Sequence, residues 1–307
     1  MLSGVARAWF SPSGEPRIGM AIMAHNEEDI IDLNIRHHAG LGVDAFFIID
    51  NGSTDNTREI LESLQQNCDL HIVDIPEQNY QQATWMTLLN RLAAKHGCDQ
   101  VINVDADEFY LPGDETEQPA GIFKRWLKRG DSIIRVERYN MLLDERVWQT
   151  DYQFWQSEWM VRHPLLYPTS SQLHESELSI SLARISPKVV CNPHGLIKLK
   201  GGNHRAKHLW SWLNGRHEKG AYIVHYPFRS WEQFLYNVQH RKQLLAGGAS
   251  MGYHYKRWVR MLEEGRLEED FSRQVFSCTQ LSMLHKLGII KSCVQAKNLI
   301  EPLVAQA

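Results

Sequence analysis

The chain has 307 residues, 43% of them hydrophobic and 22% charged, with a formal net charge of -3. That length allows about two domains around a sizeable core, and the slight acidity lacks the basic excess of nucleic-acid binders, so no nucleic-acid partner is expected. No apolar run approaches the roughly 18 residues that a membrane-spanning helix needs.

The elements follow in chain order. Met1 to Phe10 lacks the charged start and long apolar centre of a signal peptide, and residues 1–16 read as an N-terminal arm. Ile18 to Ala24 is a first short strand, running into His25-Asn26-Glu27-Glu28-Asp29, whose Asn and acids suit a helix start. Ile30, Ile31, Leu33 and Ile35 continue that helix toward Leu41. Ala45 to Ile49 is a second strand, ending at Asp50-Asn51-Gly52-Ser53-Thr54-Asp55. Gly52 permits a tight turn, and Ser53, Thr54 or Asp55 can cap the helix through Ile60, Leu61 and Leu64. Leu70 to Ile75 is a third strand, Thr84 to His96 a third helix, and Val101 onward a fourth strand. This βαβαβαβ order predicts a mainly parallel α/β sheet covered on both faces.

The fourth strand runs toward Asp105-Ala106-Asp107-Glu108-Phe109. Strand alternation places residues i and i+2 on one side, so Asp105 and Asp107 are expected to converge at the strand's end. Two carboxylates held together repel unless a cation lies between them, and Mn2+ and Mg2+ favour carboxylate oxygens. A bare Asp-x-Asp is equally a solvated turn, so context decides. Ligands of open parallel sheets bind beyond the carboxyl ends of the strands, and Asn26, Asp50 and Asp105 all fall at such ends.

Together, His25-Asn26-Glu27-Glu28, Asp50-Asn51-Gly52-Ser53-Thr54-Asp55 and Asp105-Ala106-Asp107-Glu108-Phe109 resemble the nucleotide-site motifs of glycosyltransferase family 2 and its relatives, which have the GT-A fold. The Asp-Glu-Phe after the metal motif is similar to the subgroup that includes the family 92 type. Ser186-Pro187-Lys188, Gly202-Asn203-His204 and His225-Tyr226-Pro227-Phe228-Arg229-Ser230 look like that subgroup's later blocks. The resemblance spans roughly residues 17 to 240. It implies a nucleotide-sugar-binding half at 17–112, an acceptor-side half of the same domain at 113–229, and a helical C-terminal region at 230–307. No Glu-Asp pair follows the metal motif, where many members carry their catalytic base.

Beyond the fourth strand, Pro112 to Pro119 is a polar, turn-rich loop and Ser132 to Tyr139 alternates as a strand. The aromatics Trp148, Tyr152, Phe154, Trp155 and Trp159 suit a core or dimer surface, or platforms for sugar faces. From Ser230 the pattern turns helical, and Leu281 to Val304 reads as one or two further helices. Tyr253-His254-Tyr255-Lys256-Arg257-Trp258 suits a packed helix end, with peripheral contact to a bilayer surface as the rival. Cys68, Cys98, Cys191, Cys278 and Cys293 show neither metal spacing nor an even disulfide framework. They fit a cytoplasmic protein. His204 and His208 have the i, i+4 spacing that binds zinc on a helix, but Gly201-Gly202-Asn203 before them reads as a turn. His225 ends the apolar stretch Ala221 to Val224, so it can project from a strand end, and neutral imidazole suits manganese.

Chemistry follows from the resemblance. It implies a metal-dependent enzyme that moves a sugar from a UDP- or GDP-linked donor to a glycan or glycolipid hydroxyl, inverting the anomeric centre. Asp107 would hold Mn2+ or Mg2+ with Asp105 and His225. Ala24, Asn26, Glu27, Asp50, Asp55, Asp105, Ala106 and Arg229 would bind the donor, Asp50 and Glu27 at the base and ribose, Arg229 at the diphosphate. Lys188, Lys198, Lys200 and Arg205 compete with Arg229. Asp144, Glu145, Glu158, Glu175 and Glu177 are the candidates for the base, Glu175 first. A nucleotidyltransferase is the first rival, although the first turn lacks a Gly-rich phosphate loop. A non-catalytic carbohydrate-binding module is the second. A dehydrogenase is excluded, because no Gly-x-Gly-x-x-Gly follows the first strand.

Overall fold

The computed structural model describes residues 14–75, 81–167, 172, 178–210, 215–217, 220–248 and 251–305. Its backbone divides into two compact units. The first takes the chain up to Arg138, Ser186 to Ile223 and the chain from Leu303 on; the second takes Tyr139–Ile185 and Val224–Pro302.

The first unit begins with β1 (Ile18–Ala24), α1 (Ile31–Gly40), β2 (Ala45–Asp50), α2 (Thr57–Leu64), β3 (Leu70–Asp74), α3 (Gln82–Lys95) and β4 (Gln100–Asn103). It continues with β5 (Glu108–Pro112), β6 (Ile133–Val136), β7 (Lys188–Cys191) and β8 (Gly215–His217). Among the described residues, seven strands join in the order β8-β6-β7-β4-β1-β2-β3. β1 pairs in parallel with both β2 and β4, and β2 with β3. β7 runs antiparallel between β4 and β6. The sheet is thus mostly parallel, the GT-A-type α/β arrangement that the motif order anticipates.

Continuous apolar runs, rather than alternating ones, make these strands because both faces are covered. On α3, Trp85, Met86, Leu89 and Ala93 form one stripe at helical spacing. They join Ala21, Phe47, Ile49, Val101 and Val189 in one buried cluster. Alternation sends Met20, Ile22, Phe46 and Ile48 to the opposite face, where they are equally buried.

One boundary differs from expectation. β4 ends at Asn103 and β5 starts at Glu108, so Asp105 and Asp107 sit in a turn rather than on a strand. Strand alternation therefore does not govern where they point. The turn is set instead by side chains reaching in from α1, described below.

The second unit carries the helical C-terminal region: α4 (Trp231–Ala246), α5 (Tyr253–Glu263), α6 (Leu267–Ser272), α7 (Cys278–Lys286) and α8 (Val294–Val304). Ser230 starts α4 by accepting from Gln233 N at 3.1 Å. Phe228, Phe234, Val238, Trp258, Met261 and Phe271 form its core, with Tyr152 packed against it. Phe154 and Trp155 are buried as well, whereas Trp148 is half exposed. Trp258 is buried on α5, so the Tyr253 run is a packed helix, and among the described residues no helix is long and apolar enough to cross a membrane. The last stretch breaks at Gly288, whose φ of +71° ends α7. A short strand, Ile290–Ser292, separates α7 from α8.

Candidate active site

The carboxyl ends of β1 and β2 lie side by side, Ala24 opposite Asp50. The turns beyond them are bonded to each other. Asn26 adopts φ +54°, a left-handed conformation that Asn tolerates better than most residues. That geometry lets its side chain donate to Thr54 Oγ1 at 3.0 Å and accept from Thr54 N at 2.7 Å. Its own N–H donates to Ser53 Oγ at 3.0 Å, and Glu27 N–H to Thr57 Oγ1 at 2.8 Å. Asp55 accepts from Glu28 N at 3.2 Å and from Thr57 N at 3.0 Å. Asn26 and Asp55 are therefore also scaffold, holding two motifs in register.

Asp50 is buried, and its Oδ1 accepts from Ser53 N at 3.0 Å. Its strand neighbour in β3 is Asp74, a second acid at the same sheet edge. Arg58 lies between them, 3.9 Å from Asp50 and ion-paired with Asp74 and with Glu62. Those carboxylates raise its pKa well above the ordinary guanidinium value. Gly52 takes φ +73° in this turn, as the tight-turn expectation requires.

Beneath the Asp105–Glu108 turn lies a knot of charge. Lys188, at the start of β7, has no exposed surface. Its Nζ lies 2.5 Å from Asp105 Oδ2 and 3.2 Å from Glu108 Oε2. Glu108, equally buried, also pairs with Arg138 and accepts from Asp105 N at 3.0 Å. The ammonium of Lys188, a candidate for the donor diphosphate on sequence grounds, thus serves two protein carboxylates instead. Asn203, another left-handed residue at φ +58°, reaches Asp105 Oδ1 at 3.5 Å. Asp107 occupies the turn's other end, half-buried.

Three residues of α1 clamp the backbone of this turn and of β5 that follows it. Asn34 Nδ2 donates to Ala106 O at 2.8 Å and Glu108 O at 2.9 Å. His37 Nε2 donates to Tyr110 O at 2.8 Å. His38 Nδ1 donates to Asn34 O at 2.8 Å, and its Nε2 accepts from Tyr110 N at 3.3 Å. Burial lowers the pKa of His37 to about 4 and that of His38 well below its ordinary value. Both are structural clamps. Ala106 is buried within the clamped turn.

His204 and His208 lie on a turn and on the strand Ala206–His208, so no helix gives them zinc geometry. His204 donates from Nδ1 to Pro187 O at 3.0 Å, and burial, with Lys188 and Arg138 nearby, lowers its pKa to about 4.

In the second unit, His225 ends the strand Ala221–His225, and Arg229 is buried just before α4. His225 Nδ1 lies 2.7 Å from Asn140 Oδ1. Of the candidate bases, Asp144 is held by Arg146 at 2.8 and 2.6 Å, and Glu158 by Lys297 at 2.9 Å. Glu175, with Glu177, lies outside the described residues. Asn34, Lys188 as a buried counter-ion, Arg138 and Asn140 escape sequence reasoning, since only tertiary packing gives them their roles.

Residues 20–165 match the family model described as glycosyl transferase family 2, so this stretch is a glycosyltransferase domain. No curated protein matches the chain. The chain is similar to S. aureus TarS 1-349 in complex with UDP-GlcNAc at 11% identity and TM-score 0.42, covering 84% of this chain and 72% of that one. It is also similar to glucosyl-3-phosphoglycerate synthase from Mycobacterium tuberculosis in complex with Mn2+, uridine-diphosphate and phosphoglyceric acid, at 18% identity and TM-score 0.37, covering 80% of each chain.

Proposed function

We propose that this glycosyltransferase moves a sugar from a UDP- or GDP-linked donor to a hydroxyl of a glycan or glycolipid, inverting the anomeric carbon with the help of Mn2+ or Mg2+. The observation that carries the reading is the family match over a stretch whose parallel strands β1, β2 and β4 end at one edge in Asn26, Asp50 and the Asp105 turn. In such sheets the ligand lies beyond that edge.

In this reading Asp50 and Glu27 meet the base and ribose, with Asn26 and Asp55 shaping the pocket wall. Ala24 and Ala106 are small enough for the donor to approach the backbone. Arg229 is the diphosphate contact, a guanidinium fork matched to phosphate oxygens.

The residues fit a divalent cation. Lys188 already balances Asp105 and Glu108, which makes Asp107 the first ligand, with Asp105 assisting. His225 is proposed as a further ligand on its strand-end position and its imidazole chemistry alone. Carboxylate oxygens and an imidazole nitrogen suit Mn2+, and Mg2+ through the carboxylates. When bound, the ion would supply Lewis-acid neutralisation of the diphosphate leaving group. The acceptor hydroxyl needs a base to take its proton as the sugar transfers. Glu175 is proposed for that task from its sequence position. The five cysteines are all free thiols, which supports a cytoplasmic setting.

The test is a panel of nucleotide sugars with simple acceptors, scoring released nucleoside diphosphate with and without Mn2+. Manganese-dependent release from one donor is the expected result. Pyrophosphate formation from a nucleoside triphosphate and a sugar phosphate would replace this reading with a nucleotidyltransferase.

A further inference from the structure

The hydrogen bonds around His225 decide which of its nitrogens is the ligand atom. Asn140 is buried, and its Nδ2 donates to the carbonyl oxygen of Ser181 at 2.8 Å. A carbonyl can only accept, so the amide nitrogen must face Ser181 and the amide oxygen must face His225, 2.7 Å from Nδ1. An amide oxygen also only accepts. The ring must therefore carry its hydrogen on Nδ1, which leaves the lone pair of the neutral imidazole on Nε2. The residue next in chain holds the same histidine by its backbone, Met141 N donating to His225 O at 2.8 Å.

We propose that Asn140 is a positioning residue for His225. It fixes the Nδ1–H tautomer and the ring's orientation, so that Nε2 is the atom presented to a divalent cation. The inference rests on the reading of His225 as a ligand and adds what selects the ligand atom. Metal-bound histidines regularly donate their other N–H to an oxygen that sets tautomer and orientation, and loss of such a partner typically costs about 10- to 100-fold in metal affinity. In this protein a neutral amide does that job, and its own orientation is locked by Ser181. Replacing Asn140 by Leu removes the lock and lets the hydrogen exchange between the two nitrogens. Replacing it by Asp keeps an acceptor for Nδ1–H.

The first measurement needs no variant. Long-range nitrogen–proton spectra of metal-free, histidine-labelled chain report the tautomer of His225, its signal assigned by loss in His225→Ala. The Nδ1–H form is expected; the Nε2–H form would overturn the proposal. The second measurement titrates Mn2+ alone, read by electron paramagnetic resonance. Asn140→Leu should weaken Mn2+ binding by about 10- to 100-fold, while Asn140→Asp should keep wild-type affinity. If Asn140→Leu lowers the melting temperature yet binds Mn2+ like wild type, while His225→Ala does not, the positioning role is wrong and the ligand reading stands. If His225→Ala itself binds Mn2+ like wild type, the ligand reading falls and this inference with it.

Discussion

Lys188 carries a full charge where no water reaches it, so its worth is set by its partners. A buried ion pair adds little against an apolar pair of the same shape, but removing one member strands the other's charge at about 3–5 kcal/mol. Lys188→Met should cost that much in urea unfolding, because the buried Glu108 is left with Arg138 alone for compensation, while Asp105, 39% exposed, still reaches water. Adding Asp105→Asn to that variant should return part of the loss, a coupling that a double-mutant cycle measures. Strictly additive losses would show that the two groups do not share a charge balance. Asp107 makes the opposite case. Asp107→Asn should leave the unfolding curve in place yet remove about 4 kcal/mol of transition-state stabilisation, roughly a thousandfold in rate. Asp105→Asn should cost less turnover, since Lys188 already occupies that carboxylate. Near-normal manganese-dependent release by Asp107→Asn would retire Asp107 as the principal ligand.

Helix α1 acts as one element, a clamp whose polar face holds the Asp105–Glu108 turn through Asn34 and the adjoining β5 through His37 and His38. Its histidines bind as neutral rings, which gives the clamp a pH dependence with a definite sign. The folded-state pKa of His37 is about 4 against an ordinary 6.5, so between these values the unfolded chain takes a proton that the folded chain refuses. Stability from this group is complete above pH 6.5 and drains as pH falls toward 4, by about 1.4 kcal/mol per pH unit inside that window. His37→Gln keeps a donor for Tyr110 O and removes the titration. Its unfolding free energy should fall less than wild type's between pH 7 and 5; parallel curves would show that His37 is not the group responsible. The same helix explains which parts of the fold the sequence reveals. β1, β2 and β3 are legible because uniform apolar runs stop at Asn, Asp and Gly turns. The turn between β4 and β5 is only partly legible: the sequence ends the strand at the two aspartates, but what fixes the turn is tertiary, Asn34 binding two of its carbonyls from about 70 residues away. Lys188 looks like a phosphate contact in sequence for the same reason: only the sheet shows that it is enclosed.

At the scale of the molecule, the central sheet is completed by chain that returns late. β7 inserts antiparallel between β4 and β6, with Val190 opposite Ile102 and Val189 opposite Arg135. Before it is made, the chain has passed through Tyr139–Ile185, which belongs to the second unit. The motif-bearing half from Ile18 to Pro112 therefore cannot close its own sheet. Without residues 186–223, β4 and β6 lose the strand that joins them, and β4 keeps an open edge, a site for mispairing. The buried Glu108 and the half-exposed Asp105 also lose Lys188. Each deficit alone costs a few kcal/mol, comparable to the 5–15 kcal/mol that typically holds a domain. A fragment of residues 14–140 should consequently lack a folded state, although it holds all three early motifs. Its nitrogen–proton correlation spectrum should be narrow and its thermal melt without a cooperative step. A dispersed spectrum with cooperative melting would mean that β7 and Lys188 are additions to a self-sufficient core, and that the sheet forms without its late strand.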